Sequence, residues 1–176
     1  HWTNQNTNWP AMVKAKIKDR WGSDVTIVNP AIGGTQLRQN LILMPLWPEQ
    51  TPEPDLVTIC FGYNDWDAGM RGPMFEDAQK DAVERIRRAT KGKADVLLMT
   101  PARALTRWDD MAELCAATRK AAADRRAGLV DLEAAFETAG REDRARLFAT
   151  DKVHLSTAGQ ELIADVVIQA FSAAAK

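Results

Sequence analysis

Four short runs, 25-VTIVN-29, 56-LVTICF-61, 95-DVLLM-99 and 128-GLVDL-132, are apolar at consecutive positions and rich in β-branched residues. A strand with one wet face alternates polar and apolar residues, so continuous runs of this kind indicate strands covered on both faces. Helical patterns fill the intervals at residues 36–46, 74–91 and 108–126, with another at 8–22 before the first run and one at 157–174 after the last. Strands alternating with helices join through right-handed crossovers. The expected fold class is therefore α/β: a parallel sheet with helices on both faces, three layers in all. Ligands of such sheets bind beyond the carboxyl ends of the strands. Chemistry is expected in the loops 29-NPAIGGTQ-36, 62-GYNDWDAG-69 and 148-FATDKVHLS-156.

With 176 residues, 45% of them hydrophobic, the chain is long enough to bury one core and reads as a single domain over 1–176. Its 23 basic and 24 acidic residues are interspersed and leave a formal charge of −1, so counterion release on a polyanion has little to act on. Nucleic acid and membrane surfaces are set aside as partners. No apolar run approaches the roughly 20 residues that span a bilayer. Cys60 lies in a strand pattern and Cys115 in a helical one, which makes two buried thiols the expectation. One loop histidine and scattered carboxylates lack the ligand spacing of a metal site, and no cofactor is expected.

Local signals mark several element ends. Asn8 and Pro10 suit an N-cap and first-turn proline, and Gly22 suits the stop of that first helix. Gly62 follows an apolar strand and allows a sharp turn, from which the Asn64 amide can donate to a developing oxyanion; an Asx-turn accounts for the same residues. The Gly33-Gly34 pair permits a positive-φ turn before Thr35 caps a helix. Asp151 and His154, three apart in a loop, suit a carboxylate that fixes the tautomer of a proton-carrying imidazole; a capping Asp beside a loop His is the plainer reading. Ser156 reads as the N-cap of the last helix.

Taken together, Gly34 in 28-VNPAIGGT-35, Asn64 in 62-GYND-65 and the pair in 151-DKVH-154 resemble three of the four blocks of the SGNH (GDSL) hydrolase family, in order and spacing. Trp9 and Pro10 look like the helix start that follows the family's nucleophile block, and the resemblance covers essentially the whole chain. It implies a doubly wound, flavodoxin-like sheet of order 2-1-3-4-5. It also implies His154 as general base, Asp151 as its orienting carboxylate, and the Gly34 N–H with the Asn64 side chain as oxyanion donors. The family's serine has no counterpart, since the serines are Ser23, Ser156 and Ser172. In the implied order the missing first strand lies between 25–29 and 56–61. Each buried backbone group orphaned by its loss costs about 1–3 kcal/mol, against a typical stability of about 5–15 kcal/mol. An upstream segment or a separate peptide that supplies strand one and the serine is therefore expected as a partner.

The constellation serves ester hydrolysis through an acyl-enzyme. Trp2, Trp66 and Trp108 fall in or beside strand-end loops with polar neighbours such as Asn4, Asn6, Asp67 and Arg103, and Tyr63 and Trp66 flank Asn64. Aromatic faces of this kind suit a sugar ring or pack loop bases, while Trp9, Trp21 and Trp47 suit helix packing. Tyr63, Trp66 and Trp2 are the expected substrate contacts, for a short acyl group, acetyl first, on a carbohydrate or similar polar alcohol. A polysaccharide substrate would favour a secreted or periplasmic protein. The alternatives are a lysophospholipase or thioesterase with the same triad, a non-catalytic carbohydrate-binding relative, and a glycosidase pairing Asp65 or Asp67 with Asp151. The basic loop 101-PARALTR-107 is expected to face water, with contact to an acidic substrate as the alternative.

Overall fold

The computed structural model describes residues 7–46 and 53–174. They fall into two compact units, one holding residues 30–46, 53–103 and Arg107–Glu133, the other residues 7–29, Ala104–Thr106 and 134–174. In chain order the elements are α1 (Trp9–Trp21), α2 (Leu37–Leu43), β1 (Leu56–Ile59), α3 (Tyr63–Asp67), α4 (Gly72–Ala89), β2 (Asp95–Met99), α5 (Ala112–Arg125), β3 (Gly128–Val130), α6 (Leu132–Ala139) and α7 (Thr157–Ala174). Short 3-10 turns occupy Met44–Leu46, Leu105–Arg107 and Ala145–Leu147.

The first unit carries a parallel sheet of order β1-β2-β3, with Leu56 opposite Asp95 and Leu97 opposite Gly128. Val96 and Leu98 of β2 join the core formed with α2, α4 and α5, and Leu97 and Met99, on the opposite face of the pleat, are buried too. For β2 this is the double coverage that its continuous apolar run implies; β1 and β3 depart from it, with Leu56 and Leu129 each 37% exposed. On α4, Phe75, Ala78, Gln79, Ala82, Val83 and Ile86 are buried at helical spacing, so one stripe faces inward. Small residues on both helices, Ala78 and Ala82 on α4 and Ala117 and Ala121 on α5, let the two lie against each other. Inside that contact the Gln79 amide donates to the Thr118 hydroxyl at 2.8 Å.

In the second unit α1 packs along α7. The Asn8 side chain accepts from Ala11 N–H at 3.1 Å and Gly22 ends the helix at φ 67, as expected of those residues. Ser156 caps α7: its hydroxyl accepts from Gly159 N–H at 3.2 Å and donates to the Arg146 carbonyl at 2.7 Å.

Several expectations are corrected. Residues 25–29 form no strand; Ile27 and Val28 are 40% and 42% exposed. A strand exists only through its ladder, and this stretch has no ladder partner among the described residues. Cys60 is exposed rather than buried, because it lies just past β1, whose outer edge is unpaired among the described residues. The runs at 56–61 and 128–132 are strand only to Ile59 and Val130, and α6 begins where the last was expected to continue. The cap of α2 is Gln36, whose N–H is held by the Gln39 side chain at 2.8 Å, and not Thr35.

Candidate active site

The loop before α7 is closed by its own backbone. Phe148 and Leu155 form an antiparallel bridge, Ala149 N–H donates to the His154 carbonyl at 2.7 Å, and Lys152 takes the left-handed conformation at φ 61. Leu105 N–H donates to the Lys152 carbonyl at 2.9 Å and fastens the outer turn. The fold of this loop brings Asp151 and His154 together: Asp151 Oδ2 lies 2.7 Å from His154 Nδ1, and Oδ1 accepts from the N–H groups of Val153 and His154, each at 2.9 Å. The bond to the His154 ring, followed by those two amides, holds the Asp151 carboxyl down to about 2. The Nδ1 contact with the carboxylate fixes the orientation of the imidazole. Side chains of both residues remain near half exposed, at 44% for His154 and 47% for Asp151.

In the sheet-bearing unit, Gly62 turns the chain away from β1 with φ 152 and ψ −50. A Cβ there would stand 2.5 Å from Pro101 Cγ, so this position excludes any side chain. The turn starts α3, and Asn64 Nδ2 donates to the Thr35 carbonyl at 3.3 Å, which leaves the second N–H of the amide without a hydrogen-bond partner among the described residues. Gly34 takes φ +78 with open space where a Cβ would stand. Thr35 closes the turn behind it, its N–H and hydroxyl both donating to the Ile32 carbonyl, at 3.4 and 2.6 Å. Gly34 and Asn64 thus belong to one unit, Asp151 and His154 to the other.

The sequence profile of the GDSL-like lipase/acylhydrolase family matches residues 1–162. The chain belongs to this family. Among solved structures it is similar to an acetylxylan esterase from Geobacillus stearothermophilus, with 23% identity, a TM-score of 0.77, and coverage of 93% of this chain and 80% of that one. A second acetyl xylan esterase, AlAXEase, is 24% identical with a TM-score of 0.74, covering 95% and 92% of the two chains. A lipase/acylhydrolase from Enterococcus faecalis is 22% identical with a TM-score of 0.74 over 92% and 83%. At these identities the likeness is one of fold, and it establishes the α/β architecture of the GDSL-like hydrolases for this chain. No functionally curated protein matches it in sequence.

The other residues singled out in this GDSL-like chain have mixed fates. Trp66 is half-buried, with the guanidinium groups of Arg71 and Arg107 each 5.3 Å from its ring centroid. Tyr63, at the start of α3, is half-buried too. Trp2 and Trp47 lie outside the described residues. Trp108 is 8% exposed beneath Arg103, whose guanidinium stands 4.4 Å from the ring centroid, so it packs the loop rather than offering a face. Trp21 is 41% exposed with Arg20 over it and does not serve as a packing residue.

Of the loop 101–107, expected to face water, Thr106 and Arg107 are exposed, but Arg103 is 3% exposed, paired with Glu133 at 2.6 Å and donating to the Trp108 carbonyl at 2.5 Å. Arg119 joins the same network through Asp131 at 2.8 Å and Glu133 at 2.5 Å. Burial pushes the Cys115 thiol up to about 12, which keeps it protonated and inert. The hydroxyls of Ser156 and Ser172 donate to backbone carbonyls of Arg146 and Ile168, and Ser23 is exposed just past the stop of α1. Among the described residues no cluster of three or more ligand side chains could hold a metal ion.

Proposed function

We propose that this GDSL-like hydrolase is a serine esterase that removes a short acyl group, acetyl first, from a carbohydrate or similar polar alcohol. The observation that carries the reading is the Asp151 carboxylate bonded to His154 Nδ1 at 2.7 Å in a chain of this family. His154 takes the proton of the nucleophilic hydroxyl as its oxygen bonds to the acyl carbon. Negative charge on the carbonyl oxygen is met by the Gly34 N–H and the second side-chain N–H of Asn64. Collapse expels the alcohol, which leaves with the proton from His154; water, activated by the same ring, then releases the acid. Acetyl is favoured because two fold relatives are acetyl xylan esterases. Trp66 and Tyr63 would meet the alcohol, with Trp2 as a further contact.

The nucleophile is proposed to reside on a segment that adds a strand to the outer edge of β1 and stands ahead of His1, in the same polypeptide or as a separate peptide. Support comes from that unpaired edge, the exposed Ile27 and Val28, and the hydroxyls of Ser156 and Ser172 committed to backbone carbonyls. The test is fluorophosphonate labelling of protein isolated from its natural source, with peptide mapping by mass spectrometry and turnover of nitrophenyl acetate against octanoate. A label ahead of His1 and faster acetate turnover are expected. Preferred octanoate turnover would reject the short acyl group, and protein that neither labels nor turns over would leave a carbohydrate-binding role.

A further inference from the structure

Asp65, beside Asn64, is an acidic residue that the esterase chemistry does not use, and it is fully buried at 0% exposure. Its Oδ1 accepts from Leu37 N–H at 2.8 Å, and its Oδ2 has no hydrogen-bond partner among the described residues. An unsatisfied buried carboxylate oxygen opposes folding, so an apolar side chain of similar size would serve stability better. Burial pushes the carboxyl above its usual range, against the pull of the Leu37 amide and, behind it, the amides of Asp65 itself and Gly62. Something other than packing is gained by this residue.

The gain is visible in what Leu37 belongs to. Thr35 bonds back to Ile32 through both its N–H and its hydroxyl, and Asn40 Nδ2 donates to the Thr35 hydroxyl at 2.8 Å. Residues 32–40 are thus cross-braced, with Gly34 inside the brace. Neighbouring side chains of α3 hold this piece: Asn64 on the Thr35 carbonyl at 3.3 Å and Asp65 on the Leu37 amide at 2.8 Å. We propose that Asp65 is a positioning residue that registers the Gly34 turn against Asn64, so that the backbone N–H of one and the side-chain N–H of the other converge on one oxyanion. The inference rests on the esterase reading above for the role of those two donors.

The test compares Asp65→Ala, Asp65→Asn and the parent, each with the proposed serine-bearing segment in place, by ester turnover, thermal unfolding and backbone nitrogen relaxation. Removing an oxyanion donor costs on the order of 100- to 1,000-fold in kcat, so losing its alignment should cost about 10- to 100-fold. For Asp65→Ala the expected result is that loss in kcat with KM within about twofold, and faster motion at Gly34 and Leu37. Asp65→Asn keeps an acceptor for Leu37 N–H and should recover most of the turnover and the order at Gly34. Equal losses in both variants, or a Gly34 as ordered in Asp65→Ala as in the parent, would overturn the proposal. If the parent hydrolyses no ester, the esterase reading fails by itself, and the relaxation data still decide whether Asp65 registers the turn. Should Asp65→Ala not fold, Asp65→Leu supplies the same comparison without the cavity.

Discussion

Both oxygens of Asp151 are committed, one to an imidazole and one to two amides, and its carboxyl is held at about 2 against an ordinary 3.8. A depressed folded-state value means that the contribution to stability is complete above about 3.8 and is lost as pH falls through about 2. In an acid titration followed by NMR, the ring contact of His154 should survive to pH 4 and disappear only near pH 2. Asp151→Asn removes the charge and offers the ring the wrong partner, and kcat should fall about 1,000- to 10,000-fold. Gly62→Ala places a methyl group 2.5 Å from Pro101 Cγ, and urea unfolding should show a loss of about 1–3 kcal/mol. At this scale the sequence was legible wherever partners are neighbours: Asp151 and His154 lie in one turn, and Gly62 follows its strand directly. Asp65 was not, because its partner Leu37 is 28 residues away, and Arg103 was not, because Glu133 comes 30 positions later.

Among the elements, β2 and α7 coincide with their expected spans, since an uninterrupted apolar run and a capped periodic stretch each leave one reading. Ser156→Ala removes the cap bond of α7 and the bond to the Arg146 carbonyl, and should lower stability by about 1 kcal/mol in chemical denaturation. Phe75, fully buried where α4 meets the core, is a larger loss: Phe75→Ala should cost about 3–5 kcal/mol by the same measurement. α6 went unread because its period is carried by only Leu132 and Phe136, one helical step apart, and it starts inside an apolar run that reads as strand. The stretch 25–29 is the opposite case. Its β-branched composition is that of a strand, but composition supplies propensity and not a partner, and the ladder is what makes the strand.

For the whole molecule, the consequential feature is the outer edge of β1. If the serine-bearing segment pairs there, several new backbone bonds worth about 0.5–1.5 kcal/mol each should raise the unfolding temperature by on the order of 10 °C. Calorimetry with and without the segment measures this, and an unchanged transition would place that strand elsewhere. Ile27→Thr and Val28→Thr, both at exposed positions, should shift stability by less than about 0.5 kcal/mol in the chain without the segment. The same substitutions should weaken the chain's response to it. An unpaired parallel edge reads an incoming chain by direction and spacing before it reads side chains, because its donors and acceptors are peptide groups that every residue but proline carries. Such an edge is a ruler rather than a lock. A partner segment is free to drift in sequence at its outward positions while its length and polarity stay fixed, and it is in those two properties that its history would be written.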